Sequence, residues 1–421
     1  MTRSPRVLII VQNLSVPFDR RVWLECCVLR DAGYDVTVIC PRGREAPAVQ
    51  VVDGVRIHGY RQYAPGGGAK DYLLEYSYSF VRTFACALRA RLRGRFEVIQ
   101  ACNPPDMFWP LAWWFRSWDG SRFVFDHHDL CPELFESRFA KGSPVLMRTL
   151  LFLERATFRA ADRVVSTNGS YRDIALRRGG KSAAQVSVVR TGPDPEAMRA
   201  GAPVPDERRG RDHLVAYLGV MGPQDGVDGL LAVADHIVHS LGRTDISFTL
   251  MGSGDCHEGL VRERDRLGLQ GYVELPGRVD DEYVHRVLST ADVGVSPDPL
   301  NPLNNLSTMN KTMEYMAFGL PVVAYDLVET RVSADAAAVY ADPAGGPQEF
   351  AAKLVGLLDS PGARRVMGRF GRERVESRLA WKHQAPTYLR VYDELTGRLA
   401  ETVGTPAAAP AAAASPSYTG A

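Results

Sequence analysis

The sequence predicts a 421-residue α/β protein with two doubly wound domains in tandem, each a parallel sheet covered by helices. Its length exceeds what a single hydrophobic core usually fills. Short runs rich in Val and Ile alternate with longer helical stretches, as parallel strands with helical crossovers require. The alternation stops at a polar, Pro-containing segment, residues 201–212 (GAPVPDERRGRD), and then begins again, so we expect a linker there.

The first domain, residues 1–200, is expected to alternate strands with helices. The predicted strands are Val7–Val11, Asp35–Cys40, Val55–His58, Glu97–Ala101, Phe123–Asp126, Arg163–Ser166 and Val186–Val189. Predicted helices include Arg21–Ala32, Leu73–Arg93 and Pro144–Ala161. A glycine-rich segment at 65–70 (GGGAK within it) is read as a flexible loop or a mobile acceptor loop, since it lacks the closing residues of a phosphate loop.

The second domain is expected over residues 213–378. Its predicted strands are Leu214–Leu218, Ser247–Met251, Val273–Leu275, Val293–Ser296, Val322–Tyr325 and Ala338–Tyr340. Its predicted helices are Asp228–Ser240, Glu258–Leu267, Asp281–Ser289, Thr308–Phe318, Pro347–Leu358 and Pro361–Glu376, before a last one at Trp381–Ala400. Residues 404–421 are poor in bulky apolar side chains, so we expect them to be disordered.

Composition is typical of a soluble globular protein, with 45% hydrophobic and 24% charged residues and a formal net charge of +1. No apolar run approaches the roughly 20 residues of a membrane-spanning helix, and the N-terminus does not resemble a signal peptide. The seven cysteines show no C-x-x-C spacing, which favours free thiols in a reducing compartment. We therefore expect a cytoplasmic protein.

Charge is distributed unevenly, because residues 1–205 carry about 29 Lys and Arg against about 20 Asp and Glu. A nucleic-acid partner would favour a basic protein overall, so none is expected. The basic first half suits an anionic acceptor or peripheral contact with the inner face of a membrane. One basic run, Arg89 to Arg95, could lie against anionic lipid, although an ordinary solvated helix face is the favoured interpretation.

The stretch NNLSTMNKTMEYMAFGLPVVAYD (304–326) places polar residues before a helix that leads into a strand. Ser307 or Thr308 is the expected N-cap, and the first free amides and the helix dipole then form an anion site. Lys311 in the first turn is unfavourable there unless an anion compensates it. Glu314, one turn on, is placed to accept hydrogen bonds from ribose hydroxyls; the alternative is a surface Lys–Glu pair.

Several segments of the chain, which follow one another in the family's order, resemble family 4 glycosyltransferases of the bacterial type. The GT-B fold of that family has two Rossmann-like domains facing each other across a cleft. The segments include MEYMAFGLPVVA, FDHHDLCPE, VSVVRTGPD, YLGVMGPQDGVDGLLAV, FTLMGSGD and VELPGRVDDEYV. The final LAWKHQAPTYLRVYDEL resembles the closing helix, here 379–403, which in that fold packs back on the first domain. The resemblance implies sugar transfer from a nucleotide-diphosphate sugar to an acceptor hydroxyl, with retention and without a metal or cofactor.

The chain departs from the family pattern at three positions. The first of the two family glutamates is Leu306 here, and the family Arg and Lys that neutralise the diphosphate are Val220 and Asp225. A subset of the family shows K-x-x-E-Y-x-A-x-G-x-P, as this chain does at Lys311. For that subset the resemblance implies that Lys311 and the helix amides hold the diphosphate, with Glu314 on the ribose.

The resemblance also implies which residues surround the donor and the acceptor. The donor-binding residues are expected to be Gly219, Gly252, Arg278, Val279, Ser307, Thr308, Met309, Asn310, Lys311 and Glu314. By family register His128 contacts the transferred sugar, and because side chains alternate along a strand, His127 should have another role. Asp19, Arg20, Arg21 and Glu133 are candidates for the acceptor or phosphate side.

No pair of carboxylates suggests a glycosidase-type double displacement, so catalysis would come from stabilising the departing diphosphate. The acceptor is expected to be a saccharide, a lipid-linked saccharide or a small natural product. Two alternatives stay open: a non-catalytic nucleotide-sugar-binding protein, favoured by Leu306, Val220 and Asp225, and a sugar-nucleotide epimerase on the same fold. Domain closure is expected to use hinges near 201–212 and 380.

Overall fold

The computed structural model describes residues 4–43, 45–63, 69–138 and 143–398. Most of the glycine-rich segment at 65–70 and all of the tail at 404–421 lie outside the described residues. The described chain divides into two compact units. The first comprises residues 4–191 together with 384–398, and the second comprises residues 192–383.

The first unit contains an eight-stranded sheet in the order β3-β4-β2-β1-β5-β6-β7-β8, with only the β3–β4 pair antiparallel. Its strands are β1 Arg6–Ile10, β2 Asp35–Arg42, β3 Val49–Val52, β4 Val55–Arg61, β5 Val98–Cys102, β6 Arg122–His127, β7 Arg163–Ser166 and β8 Val186–Val188. Its first six helices are α1 Arg20–Asp31, α2 Ala69–Arg91, α3 Trp109–Asp119, α4 Cys131–Arg138, α5 Pro144–Ala160 and α6 Gly169–Arg177.

The second unit contains a six-stranded, entirely parallel sheet in the order β11-β10-β9-β12-β13-β14. Its strands are β9 His213–Leu218, β10 Ile246–Met251, β11 Val273–Gly277, β12 Val293–Ser296, β13 Val322–Tyr325 and β14 Ala338–Ala341. Its helices are α7 Val227–Asp235, α8 His257–Arg266, α9 Asp281–Thr290, α10 Asn310–Ala317, α11 Val328–Ala334, α12 Gly346–Leu358 and α13 Pro361–Arg374. The last helix, α14 Trp381–Thr396, belongs to the first unit from residue 384 onward.

Both sheets are covered on both faces, which explains why their strands are continuous apolar runs. All five residues of β1 and all six of β10 are buried. The two sheets therefore confirm the prediction of two doubly wound α/β domains.

Strand order reverses once in each parallel sheet, between β1 and β5 in the first unit and between β9 and β12 in the second. In such sheets the crevice outside the carboxyl ends of the strands at the reversal is where ligands bind. The loops that leave β1, β5, β9 and β12 are therefore the segments that decide what each unit can bind.

Helix α14 supplies two buried tyrosines to the first unit. Tyr388 donates a hydrogen bond to Gln100 Oε1 on β5 at 2.7 Å, and Tyr392 donates to the same oxygen. Tyr34 donates to Asp393 on α14 at 2.7 Å. These bonds tie the end of the chain to the middle of the first unit's sheet.

The segment predicted as a linker, 201–212, lies within the second unit. Arg208 pairs with Asp292 at 2.5 Å, and Arg211 stacks its guanidinium over the Tyr272 ring at 4.1 Å. The chain passes between the two units at 191–192 and again at 383–384. Among the described residues, none of the helices combines the length and apolarity that a bilayer-spanning segment needs.

Candidate functional site

The start of α10 and the end of β9 meet at the strand-order reversal of the second unit. Lys311, in the first turn of α10, is 8% exposed and places Nζ 2.6 Å from Asp298 Oδ1. Its ammonium also lies 5.1 Å from the centre of the Tyr217 ring. Burial alone would lower the pKa of Lys311, but the charges of Asp298 and Asp225 outweigh it and the pKa is raised. Lys311 is therefore a buried, charged side chain with a carboxylate partner.

Asp298 was not identified from the sequence. It follows β12, is 1% exposed, and accepts a hydrogen bond from Ser296 Oγ as well as from Lys311. The sequence argument that an anion must compensate Lys311 is therefore met by a carboxylate of the chain itself.

The predicted N-cap of this helix, Ser307 or Thr308, is wrong. Helix α10 begins at Asn310, and Met309 occupies the cap position without a side-chain hydrogen bond to the helix. Ser307 Oγ donates instead to the Leu303 carbonyl at 2.8 Å, because residues 304–306 form a 3₁₀ turn before the helix.

Tyr315 fixes α10 against the two strands at the reversal. Its hydroxyl donates to the Val295 carbonyl at 3.2 Å and accepts from the Leu218 amide at 2.8 Å. A Cβ atom on Gly294 would lie 2.3 Å from the Tyr315 ring, so only glycine fits there. Glu314, which precedes Tyr315, is half-buried and lies one turn after Lys311.

Two of the predicted donor-binding glycines pack directly on each other. Gly252 has φ of +139°, and a Cβ atom there would lie 1.8 Å from the Gly219 carbonyl oxygen. A Cβ atom on Gly219 would in turn lie 3.1 Å from Lys311 Cε. The structure thus brings Gly219, Gly252 and Lys311 together, and the close contacts explain why neither glycine position carries a larger side chain.

The loop after β9 is closed by its own residues. Asp225 Oδ2 accepts from the Gly222 amide at 2.9 Å, and the Tyr217 hydroxyl donates to the Val220 carbonyl at 2.7 Å. The Val220 side chain is 59% exposed. Two other predicted donor residues, Arg278 and Val279, follow β11, which is two strands away from β9; Arg278 is exposed and Val279 half-buried.

In the first unit, Arg21 lies at the centre of a buried polar cluster. Its guanidinium donates to Asp126 Oδ1 at 2.9 Å and to the Val189 carbonyl at 2.9 Å, and its Nε lies 2.8 Å from His128 Nε2. It also pairs with Glu25 at 3.1 Å. Arg21 is only 6% exposed, and its charge is compensated by the carboxylates around it, so a contact with a phosphate or an acceptor stays a prediction.

His128 is held in place from two sides. Its Nε2 lies 2.6 Å from Asp126 Oδ2, and its backbone amide donates to Asn103 Oδ1 at 2.6 Å. Asp126 is completely buried; burial alone would raise its pKa, but the charges of Arg21 and His128 hold the pKa below its usual range. Burial raises the pKa of Glu25 well above its usual range, and the charge of Asp126 adds to that rise.

The donor atoms of Glu25, Cys102, Asp126 and His128 all lie within 4.8 Å of one another. Such a set could hold a metal ion by its chemistry. The Arg21 guanidinium already contacts three of these four residues and provides the positive charge that a metal would supply. The cluster therefore fits an arginine-centred network better than a cation site.

The two adjacent histidines have different surroundings, in line with the alternation of side chains along a strand. His127 is fully buried, with its ring centre 5.0 to 5.3 Å from those of Phe125, Phe158 and Tyr171. Burial lowers the pKa of His127 to about 3, and the charge of Arg178 contributes. His127 is a neutral core residue.

The first unit contains three further candidate site residues: Asp19, Arg20 and Glu133. Asp19 is the N-cap of α1 and accepts from the Val22 amide at 3.1 Å, whereas Arg20 is exposed. Glu133 is engaged by Arg178 through both oxygens, at 2.6 and 3.1 Å, so its charge is compensated within the unit.

Comparison with known proteins agrees with this architecture. Residues 20–192 match the model described as "Glycosyl transferase 4-like domain", and residues 212–360 match "Glycosyl transferases group 1". The phosphatidyl-myo-inositol mannosyltransferase of Mycolicibacterium smegmatis is 31% identical over 203 residues, which are 48% of this chain and 50% of that protein. This chain thus spans about half the length of that curated relative.

Solved structures show the same fold at low identity. Sucrose-phosphate synthase of Thermosynechococcus elongatus superposes with a TM-score of 0.74 at 20% identity, over 94% of this chain and 100% of that one. The Anabaena protein HepE, in complex with UDP and glucose, superposes with a TM-score of 0.66 at 14% identity, over 93% and 99%. The chain therefore has the GT-B fold of two Rossmann-like domains, and each domain matches a glycosyltransferase domain model.

Proposed function

We propose that the protein transfers a sugar from a nucleotide-diphosphate sugar to an acceptor hydroxyl. The observation that carries the proposal is the junction of β9, β12 and α10 in the second unit. There the amino end of α10, the Gly219–Gly252 contact and the loop after β9 converge at the carboxyl edge of a parallel sheet. Free amides at such an edge favour a diphosphate.

The roles within this site follow from its geometry. The first amides of α10 and the backbone of the loop after β9 would bind the two phosphates, and Glu314 would accept hydrogen bonds from the ribose. Lys311 adds a positive charge close by, but its ion pair with Asp298 makes it first a positioning residue. The charge that accumulates on the departing diphosphate would be stabilised chiefly by helix amides and dipole.

His128 is the first-unit residue that we propose to contact the transferred sugar. It follows β6, and its imidazole is oriented by Asp126 and Arg21. A ring fixed in this way can offer a hydrogen bond to a sugar hydroxyl without first losing rotational freedom. Reaction with retention at the anomeric carbon is part of the proposal, because the resemblance to family 4 glycosyltransferases implies it.

The acceptor is proposed to be a saccharide, a lipid-linked saccharide or a small natural product. The excess of Lys and Arg in residues 1–205 favours an acceptor that carries negative charge, and it allows peripheral contact with an anionic membrane from the cytoplasmic side. A lipid acceptor is consistent with the name of the mannosyltransferase relative.

Binding of a nucleotide followed by transfer tests the proposal. Thermal unfolding should be measured with UDP, GDP, ADP and dTDP, since a bound ligand raises apparent stability by mass action. Labelled nucleotide sugars that contain the stabilising nucleotide are then tested as donors in transfer assays with saccharide and lipid-linked acceptors. We expect one nucleotide to stabilise the protein and a sugar linked to that nucleotide to be transferred. If none of the four nucleotides stabilises the protein, the proposal is contradicted.

A second candidate function, nucleotide-sugar binding without catalysis, is favoured by Val220 and Asp225, where the family has a pair of cations. Stabilisation by one nucleotide without transfer to any acceptor would support it. Hydrolysis or epimerisation of the donor without acceptor would indicate the epimerase alternative instead.

A further inference from the structure

A pocket of about 460 Å³ lies in the first unit, between the outer strands of the sheet and helix α2. Five of its lining residues are basic: Arg42, His58, Arg61, Arg82 and Arg89. Among the described residues that line it, none is Asp or Glu. Four guanidinium groups in one pocket repel one another unless an anion is bound between them.

The arginines come from elements that fix their positions. Arg42 and Arg61 are register partners at the carboxyl ends of the parallel strands β2 and β4. Arg82 and Arg89 are seven residues apart on α2, which places them on one face of the helix, with Cys86 between them in the pocket wall. Ligands of parallel α/β sheets bind at this edge.

Two basic residues near the pocket have carboxylate partners. Arg91, the last residue of α2, is bound by both oxygens of Asp119, at 2.7 to 3.1 Å, and Arg95, which follows the helix, lies 3.9 Å from Glu97. The structure thus splits the basic run at 89–95: Arg91 and Arg95 have carboxylate partners, whereas Arg89 turns to the pocket.

His58 supplies a second, independent sign of a ligand. The residue is 8% exposed, and within the described residues its Nε2 atom is buried without a hydrogen-bond partner. Arg42 Nε, in the same wall, is also buried without a partner there. Burial lowers the pKa of His58, and the charges of Arg56 and Arg93 lower it further, so the field at this imidazole is positive. Buried unpaired donors are costly unless a ligand satisfies them.

We propose that this pocket is a binding site for a phosphate monoester, separate from the donor site of the second unit. Arginine forks match the oxygens of phosphate, and several of them converging from strands and a helix would bind a dianion from more than one side. The volume accommodates a group larger than phosphate alone, such as a sugar phosphate or the headgroup of a phosphatidic lipid.

Titration calorimetry on the full chain tests the site with inorganic phosphate and glucose 6-phosphate at fixed ionic strength. The test variant is Arg61→Gln/Arg82→Gln; both arginines are exposed, so the fold should persist, as thermal unfolding can verify. Arg177→Gln, an exposed arginine on α6, is the matched control. We expect the double variant to bind at least about tenfold more weakly and the control to bind as the wild type does.

Sedimentation with vesicles distinguishes the two sources of the phosphate. Phosphatidylcholine vesicles with and without phosphatidic acid are compared for the same three proteins. Binding only to vesicles containing phosphatidic acid, lost in the double variant, identifies a lipid headgroup; binding of glucose 6-phosphate, lost in the same variant, identifies a soluble ligand.

Two results would overturn the proposal. One is equal phosphate affinity in the wild type and the double variant, as binding at the start of α10 would produce. The other is no binding of any of these probes. Arg61 and Arg82 do not belong to the donor site, and Glu314 does not line the pocket. Glu314→Gln should therefore leave phosphate binding in the pocket unchanged, so this test is independent of the test of the proposed transferase activity.

Discussion

Lys311 Nζ lies 2.6 Å from Asp298 Oδ1, and both side chains are at least nine-tenths buried. The first turn of α10 thus carries a cation whose counter-ion comes from the loop after β12. This ion pair holds the helix start, the β12 loop and Gly219 in one arrangement at the strand-order reversal. A donor diphosphate would meet helix amides that are already positioned.

Breaking this pair from either side should destabilise the protein. Asp298→Asn leaves a buried ammonium without its counter-charge, and we expect the free energy of unfolding to fall by about 3–5 kcal/mol. The double variant Lys311→Met/Asp298→Asn removes both charges and should cost clearly less than the sum of Lys311→Met and Asp298→Asn made singly. Urea unfolding of all four proteins measures the coupling; additive losses would show that the pair contributes no interaction energy.

Replacing Glu314 should weaken donor binding without unfolding the second unit. Glu314→Ala removes the proposed acceptor of the ribose hydroxyls, so nucleotide affinity should fall by about 1–3 kcal/mol. Lys311→Ala is expected to lower affinity by a similar amount, partly through the helix start. Calorimetry with the nucleotide that stabilises the wild type provides the measurement. Glu258→Ala, whose side chain is 90% exposed, is the matched control; equal affinity in all proteins would contradict the assignment.

The contact between Gly252 and Gly219 should tolerate no side chain. Gly252→Ala places a methyl group 1.8 Å from a carbonyl oxygen, and the backbone there has φ of +139°. We expect a loss of more than about 2 kcal/mol in unfolding free energy and weaker nucleotide binding. Gly229→Ala, in α7 with open space around it, should instead stabilise by about 0.5–1 kcal/mol. A neutral Gly252→Ala would rule out the tight contact.

Acid stability should depend on His127. The folded-state pKa is about 3, below the usual value near 6.5, so the unfolded chain binds a proton more readily. This contribution to stability is fully present above about pH 6.5 and is lost as pH falls toward 3. The loss of unfolding free energy amounts to about 2 kcal/mol at pH 5.

His127→Phe removes the titrating group and keeps an aromatic ring among Phe125, Phe158 and Tyr171. The variant should gain stability relative to the wild type as pH falls from 7 to 5. Thermal or urea unfolding across this range measures the difference; a constant difference at every pH would contradict the buried, neutral state of His127.

Much of the fold could be predicted because the strands are buried on both faces. Every residue of β10, Ile246–Met251, is buried, so the strand was predictable as a continuous apolar run. The predicted strand, Ser247–Met251, starts only one residue later. Strand β3, Val49–Val52, was missed because it is a short edge strand with two exposed residues, and Val49 and Val51 carry no burial signal. The start of α10 was placed two residues early because Ser and Thr favour caps only when no other turn competes for them.

The contents of the candidate sites were less predictable, because their partners are distant in sequence. The register of β6 brings Asp126 to Arg21 over 105 positions, and the loop after β12 brings Asp298 to Lys311 over 13. Neither spacing follows a helix or strand period. Each cation looked available for a ligand in the sequence, and each is neutralised by a carboxylate from another element.

The most direct test is a crystal structure of the full chain with the nucleoside diphosphate that stabilises it. The account predicts phosphate oxygens within hydrogen-bond distance of the amides at the start of α10, and ribose hydroxyls at Glu314. A nucleotide bound away from α10, or one whose phosphates lie on the other unit, would contradict it.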